Sequence, residues 1–251
     1  MTNPKDWLYR SQSILGPLSL DGMEQKDIQA IAQVMAEQGV GIKTAYRDCL
    51  YHRKRFIAGT SLATNSPTSF FGVAINQQDN VANAPATTYT ATNIDTNITQ
   101  QGQIAKGQTF VVMSVQLELI TTGATFTTIT NGDPTAPEAL AATSATNFMR
   151  ALRYAGFFSL TIGERQYERG LIADFPQGPY GAIGFAGGGL ATNLESLVNN
   201  GLGRERKCSP FHVIDAGRLF AAQIQWQSAL VPTNNFSIVA RLDGVRFTSV
   251  Q

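Results

Sequence analysis

The C-terminal run from Asn235 to Gln251 constrains this chain more than any other stretch. Phe236, Ile238, Ala240 and Leu242 recur with period two, Asp243-Gly244 interrupts them, and Val245, Phe247 and Ser249 resume the alternation. A period of two sends successive side chains to opposite faces of a strand, so one face of this run is built for burial. A strand that ends a chain must find partners in segments far away in sequence. The expected result is a body closed by non-local β pairing, with Asp243-Gly244 as a turn between two final strands.

Period two recurs upstream. From Ile104 to Ile120, Phe110, Val112 and Ser114 alternate against Val111, Met113 and Val115, and two apolar faces predict burial on both sides. Shorter strands are expected at 69–75, 87–94, 157–162, 166–172, 211–214 and 218–227, with a Gly- and Pro-rich loop over 175–189. Helical spacing appears in three places. Ile28, Ile31, Ala32 and Met35 place a helix over 21–38, and Gly39 and Gly41 break it. Ile42, Ala45, Tyr46, Cys49 and Leu50 then predict a second helix over 42–56. Thr135-Ala136-Pro137-Glu138 has the form of a capping box and opens an inserted helix reaching about Arg153, while Gly201 marks the end of a short helix over 193–200. The fold class expected is mainly β: a β-sandwich over residues 57–251 with one or two inserted helices, preceded by a helical N-terminal arm over residues 1–56.

The 251 residues can bury a sizeable core, yet only 15% are charged and the net charge is +1. The usual charged fraction is about 25%. A neutral surface rich in Thr, Asn, Gln and Ser suits packing against copies of the same chain, because Lys and Glu are depleted at interface cores. Two cysteines exclude a disulfide framework, and no segment reaches the ~18 apolar residues of a membrane-spanning helix. Residues from Met1 to Trp7 lack the basic and apolar regions of a secretory leader, so synthesis in a cytoplasm is expected.

Few residues suit catalysis. All Cys and His fall into two close pairs, Cys49-x-x-His52 and Cys208-x-x-x-His212. On a helix Cys49 and His52 would share a face, and two such pairs brought together could hold zinc tetrahedrally. A buried Cys49 on a core face and a Cys208 that merely precedes Pro210 account for them more simply, so no metal site is assigned and these four residues stand as candidates. A Ser-His-Asp triad would have to use His52 or His212, and no Gly-x-Ser-x-Gly elbow is present. Glu164, Glu168 and Asp174 could supply paired carboxylates, but interleaving with Arg165 and Arg169 points to a solvated ladder. No cofactor and no enzymatic activity are expected.

Cations are concentrated. Lys43, Arg47 and Lys54 would form one helical stripe ending in Arg53, Lys54 and Arg55, and Arg204, Arg206 and Lys207 form a second patch. Both could face nucleic acid or lipid headgroups.

The connections at Thr96-Asn97, the run from Gln103 to Phe110, the turn Phe175-Pro176-Gln177-Gly178 and the stretch from Arg241 to Val245 form a pattern of strands with long neutral linkers. The pattern resembles the jelly-roll capsid proteins of tailless icosahedral viruses, particularly those of bacteria. That resemblance implies a single jelly roll and a capsid subunit that self-assembles into a shell enclosing a genome, located in the virion. Its partners would be copies of itself as trimers or larger assemblies, other virion proteins, and nucleic acid or membrane lipid on the inner face. Two other readings remain open. One is a phage spike or tail-associated module binding a receptor or glycan through Trp226, Tyr180 and the loop around Pro179. The other is a cupin-like metal-dependent enzyme in which Glu118 or Asp215 joins the two histidines.

Overall fold

The computed structural model describes residues 26, 27, 29–31, 33, 42–64, 66–121, 151–176, 183–187, 194–198, 205–232 and 235–249. The chain is mainly β. Its strands in order are β1 (Ile42–Phe56), β2 (Thr68–Phe70), β3 (Gln78–Val81), β4 (Ala84–Thr90), β5 (Gln108–Thr121), β6 (Gly156–Ile162), β7 (Arg165–Leu171), β8 (Ile183–Gly187), β9 (Leu194–Val198), β10 (Arg206–Ile214), β11 (Phe220–Trp226) and β12 (Phe236–Ser249). Two four-stranded sheets run in the orders β1-β12-β5-β10 and β2-β11-β6-β7, and β3-β4 and β8-β9 form two-stranded ribbons. The strand pairings are antiparallel.

The inner faces of the two large sheets share one apolar core. Leu50, Phe56, Val115, Phe236 and Leu242 of the first sheet meet Phe70, Phe158, Phe220 and Trp226 of the second within a single cluster. Phe56 and Phe236, opposite each other in register, stack at 4.4 Å, and Trp226 meets Phe56 edge-on at 6.0 Å. The Trp226 indole N–H donates to Thr68 Oγ1 at 3.2 Å, which satisfies its one polar atom in the core.

The terminal run is the centre of the first sheet, between β1 and β5. Asp243-Gly244 is not a turn: β12 continues through it, with Asp243 opposite Ser114 and Gly244 opposite Val112. Met113 therefore has no opposite residue, and this β-bulge shifts the alternation of β5 by one. Phe110 and Val112 point into the core before it, and Val115, Leu117 and Leu119 do so after it. On β12 the alternation is unbroken, so Val245 and Phe247 face outward, where they join Ala45, Val111 and Ile31 in a second, smaller cluster. The outer face of this sheet is thus apolar at one end.

The largest departure from expectation is β1. Residues 42–56 form a strand along β12, not a second helix. The apolar positions mimic helical spacing because they lie on both faces of the strand, Ala45 outward beside Phe247 and Leu50 inward beside Leu242, while His52 and Lys54 break the inward apolar alternation. Residues 26, 27, 29–31 and 33, inside the expected first helix, are helical, and Ile31 is buried. Residues 194–198 are also extended and pair with residues 183–187, where a helix and a loop respectively were expected. Of the inserted helix, residues 151–155 are helical and the capping box lies outside the described residues.

Candidate functional site

Two buried polar centres lie on the two sheets. The first is built on β1, whose alternation sends Leu50, His52, Lys54 and Phe56 inward. His52 Nδ1 accepts the Phe71 N–H at 2.5 Å, so the ring proton sits on Nε2 and is donated to Asp79 Oδ2 at 3.1 Å. Burial holds this imidazole below its ordinary pKa, against the opposing pull of Asp79. Lys54 Nζ donates to Asp79 Oδ1 and, at 3.2 Å, to Asn80 Oδ1. The Tyr89 hydroxyl donates to Asp79 Oδ2 at 2.9 Å. Burial alone would raise the Asp79 pKa, but the bonds from His52 and Lys54 hold it well below the usual carboxylate range. Both nitrogens of His52 are occupied, one by a backbone amide and one by a carboxylate. The ring therefore has no free lone pair to serve as a general base, and the constellation is a tie between β1 and the β3-β4 ribbon.

Beside this tie runs a cleft of about 480 Å³ lined by Arg53, Arg55, Tyr89 and Ser237. Arg55 grips buried Asp95 with Nη2 at 2.8 and 2.9 Å and covers the Tyr89 ring at 4.3 Å. Arg53 Nε is buried and makes no hydrogen bond.

The second centre joins the edge strand of each sheet. Glu168 on β7 and Cys208 and His212 on β10 are all buried, and their ligating atoms lie within 4.8 Å of one another. Glu168 Oε1 is 2.9 Å from His212 Nε2, and Arg206 Nε is 3.1 Å from Glu168 Oε2. Burial pushes the Cys208 thiol far above its ordinary pKa, with the Glu168 charge and a thiol hydrogen bond to that carboxylate acting the same way. Four residues of regular strand span about 13 Å. Cys208 and His212 converge because β10 is irregular there: Lys207 lies opposite Ser114 and His212 opposite Val112, so five steps on β10 cover two on β5.

The four Cys and His residues do not form one site. Register places Cys49 opposite Asp243, Asp243 opposite Ser114, and Ser114 opposite Lys207. Three strand spacings put Cys49 about 14 Å from that part of β10, beyond disulfide or shared-metal reach. Both cysteines are free thiols. Cys49 and His52 also point to opposite faces, because a spacing of three on a strand reverses direction. The carboxylates that join the histidines are Asp79 and Glu168, not Glu118 or Asp215. Glu164 is exposed, and Asp174 accepts the Leu171 N–H at 2.8 Å, so neither joins Glu168 as a catalytic pair.

The cations are dispersed in the same way. The stripe of Lys43, Arg47 and Lys54 does not exist on a strand: Arg47 is exposed, whereas Lys54 is buried on the other face. Arg55 is engaged by Asp95, Arg206 by Glu168, and Lys207 by Asp27 at 3.6 Å. The side chain of Lys43, and Arg204, Tyr180 and Pro179 entirely, lie outside the described residues. Trp226 is core and offers no platform to a sugar.

On the outer face of the first sheet, Gln116 Nε2 bridges Asp243 Oδ2 and Glu205 Oε2, the latter at 3.0 Å. Burial, aided by the Glu205 charge, pushes Asp243 up to about 6 against the pull of Arg241, Arg47 and the Gln116 bond. A raised carboxyl pKa means the folded state binds a proton that the unfolded chain has released. The stabilisation is complete below about pH 4 and is lost as pH rises through about 6. Asp243→Asn is therefore expected to be more stable than the parent by about 1–3 kcal/mol above pH 7 and nearly equal to it near pH 4. Urea unfolding at the two pH values measures this, and a pH-independent difference would refute it.

No protein-family model, no curated protein and no solved structure matches this chain.

Proposed function

We propose that the two-sheet body is a single jelly roll and that the protein is a structural subunit, of viral-capsid type, that assembles with copies of itself into a shell. The observation that carries the reading is the order of strand pairing. Among the described residues, with the two ribbons set aside, the eight remaining strands pair first with last, second with seventh, third with sixth and fourth with fifth: β1 with β12, β2 with β11, β5 with β10, and β6 with β7. Nested pairing of this kind is one long hairpin rolled up on itself, and the contacts of β12 with β5 and of β11 with β6 close each sheet. The roll is shared with lectins and cupins, so the step from fold to shell is one of likeness.

Two further features favour a shell over an enzyme. The His52 centre is closed to proton transfer, and a chain with only 15% charged residues suits extensive neutral contacts. Such contacts need about 1,600 Å² each to be stable. Light scattering after size exclusion, with electron microscopy of concentrated protein, is expected to show trimers or closed particles. A monomer at every concentration reached would overturn the proposal.

A receptor- or glycan-binding module is the second reading. It is favoured by the cleft lined by Arg53 and Arg55, whose positive charge suits an acidic sugar. A monomer that binds such a glycan and loses it with Arg53→Ala would select this reading.

A further inference from the structure

The geometry points to a binding site for a zinc-class divalent cation formed by Glu168, Cys208 and His212, which staples the last described strand of one sheet to the last described strand of the other. β7 and β10 are the last described strands of their respective sheets, and the three ligands come from both. An edge is where such a sandwich opens first, because an edge strand is held by hydrogen bonds on one side only.

The donor set selects the ion. One thiolate, one imidazole and one carboxylate suit zinc and similar borderline metals, whereas calcium and magnesium need six or more oxygens. The surroundings hold each ligand in place. Arg206 Nε engages Glu168 Oε2 at 3.1 Å while its guanidinium lies 4.7 Å over the Phe175 ring, which leaves Oε1 directed toward His212. The Tyr167 ring lies 4.8 Å from the His212 ring and fixes its plane. Groups that orient the ligands in this way commonly account for tenfold to hundredfold of metal affinity.

In the metal-free protein, protons do the work of the ion: the Cys208 thiol and the His212 ring both donate to Glu168. Metal entry replaces them. The cation bonds to Cys208 Sγ as the thiol proton leaves to solvent, while the His212 ring gives up its bond to Glu168 and moves its proton from Nε2 to Nδ1 through solvent, so that Nε2 presents its lone pair. The thiol proton is the one released per ion bound. Three protein ligands leave the fourth tetrahedral position to water.

The test is titration of metal-stripped full-length protein with Co²⁺, followed by Zn²⁺. Expected are one Co²⁺ per chain, tetrahedral visible bands with a near-ultraviolet thiolate charge-transfer band, displacement of both by Zn²⁺, release of one proton, and a rise in Tm with Zn²⁺ but not with Mg²⁺. Cys208→Ser should abolish the charge-transfer band and weaken binding at least about a hundredfold, and Arg206→Gln should weaken it about tenfold. Cys49→Ser should change neither. If Cys208→Ser does not fold, the stoichiometry, spectrum and Tm of the parent and of Cys49→Ser decide alone. Absence of the charge-transfer band in the parent, absence of a Zn²⁺-dependent Tm rise, or loss of the band with Cys49→Ser in place of Cys208→Ser would each overturn the site.

Discussion

Asp79→Ala is expected to destabilise the fold by about 3–5 kcal/mol, because it leaves a buried cation and a buried imidazole without their shared acceptor. The Asp79 side chain is 1% exposed, and the Lys54 side chain 6%. In the parent, Asp79 accepts from Lys54, His52 and Tyr89 and also from the Asn80 N–H at 2.8 Å. Each donor left without a partner keeps its desolvation cost and loses its compensation. Adding Lys54→Met to Asp79→Ala should recover a large part of the loss, since a flexible apolar chain replaces the orphaned charge. Urea unfolding of the parent, both single variants and the double variant forms a complete cycle. A cost below about 1 kcal/mol for Asp79→Ala would show that the network carries little of the fold.

The same carboxylate sets an acid limb. Its folded pKa lies below the unfolded value, so its contribution is present above about pH 4 and is lost as pH falls toward the folded value. The difference between parent and Asp79→Asn should therefore shrink below about pH 4. Asp243 acts in the opposite sense, and the two together narrow the pH range over which the sheet is most stable.

Why β1 and both polar centres escaped the sequence has one physical reason. β6, β11 and β12 carry apolar residues inward at period two, and β5 is apolar on both faces over much of its length, so all four are legible in the sequence. β1 carries His52 and Lys54 inward, where Asp79, a residue from a Thr- and Asn-rich linker, receives them. Nothing in the local pattern of 42–56 signals an acceptor contributed from elsewhere, and apolar residues on both faces, Ala45 outward and Leu50 inward, recur at helical spacing. Glu168 is a similar case. Its flanking Arg165 and Arg169 are exposed and suggest a solvated ladder, but Glu168 is buried and is met by Arg206, Cys208 and His212 from the other sheet. The Cys208-His212 pair was visible as a pair; its third member depends on an irregular crossing of β10 that no spacing rule reveals. Asp243-Gly244 shows the converse, since a dipeptide typical of turns sits here inside an unbroken strand.

That Gly244 makes the second large prediction. A Cβ at this position would lie 1.9 Å from the Val111 carbonyl oxygen and 2.9 Å from its carbon, with Phe110 at 3.1 Å. Backbone on β5 cannot rotate away as a side chain could, so β12 and β5 would have to separate at the bulge. There the outward residues Val111 and Val245 pair, and the inward alternation of β5 is reset. Opening this point exposes the smaller cluster and costs the ladder bonds on both sides of the central strand. Gly244→Ala is expected to lose about 3–5 kcal/mol, and Gly244→Val to leave no folded protein. A glycine at a helix or strand position with open space costs only about 1 kcal/mol when it is the wrong residue, and replacement there is often an improvement. Gly72, with nothing within 4 Å of its hypothetical Cβ, provides that control, and Gly72→Ala should remain within about 1 kcal/mol of the parent. Thermal and urea unfolding of the two alanine variants side by side separates the steric account from a general intolerance of substitution. Equal stability of Gly244→Ala and Gly72→Ala would show that the bulge yields where the geometry says it cannot.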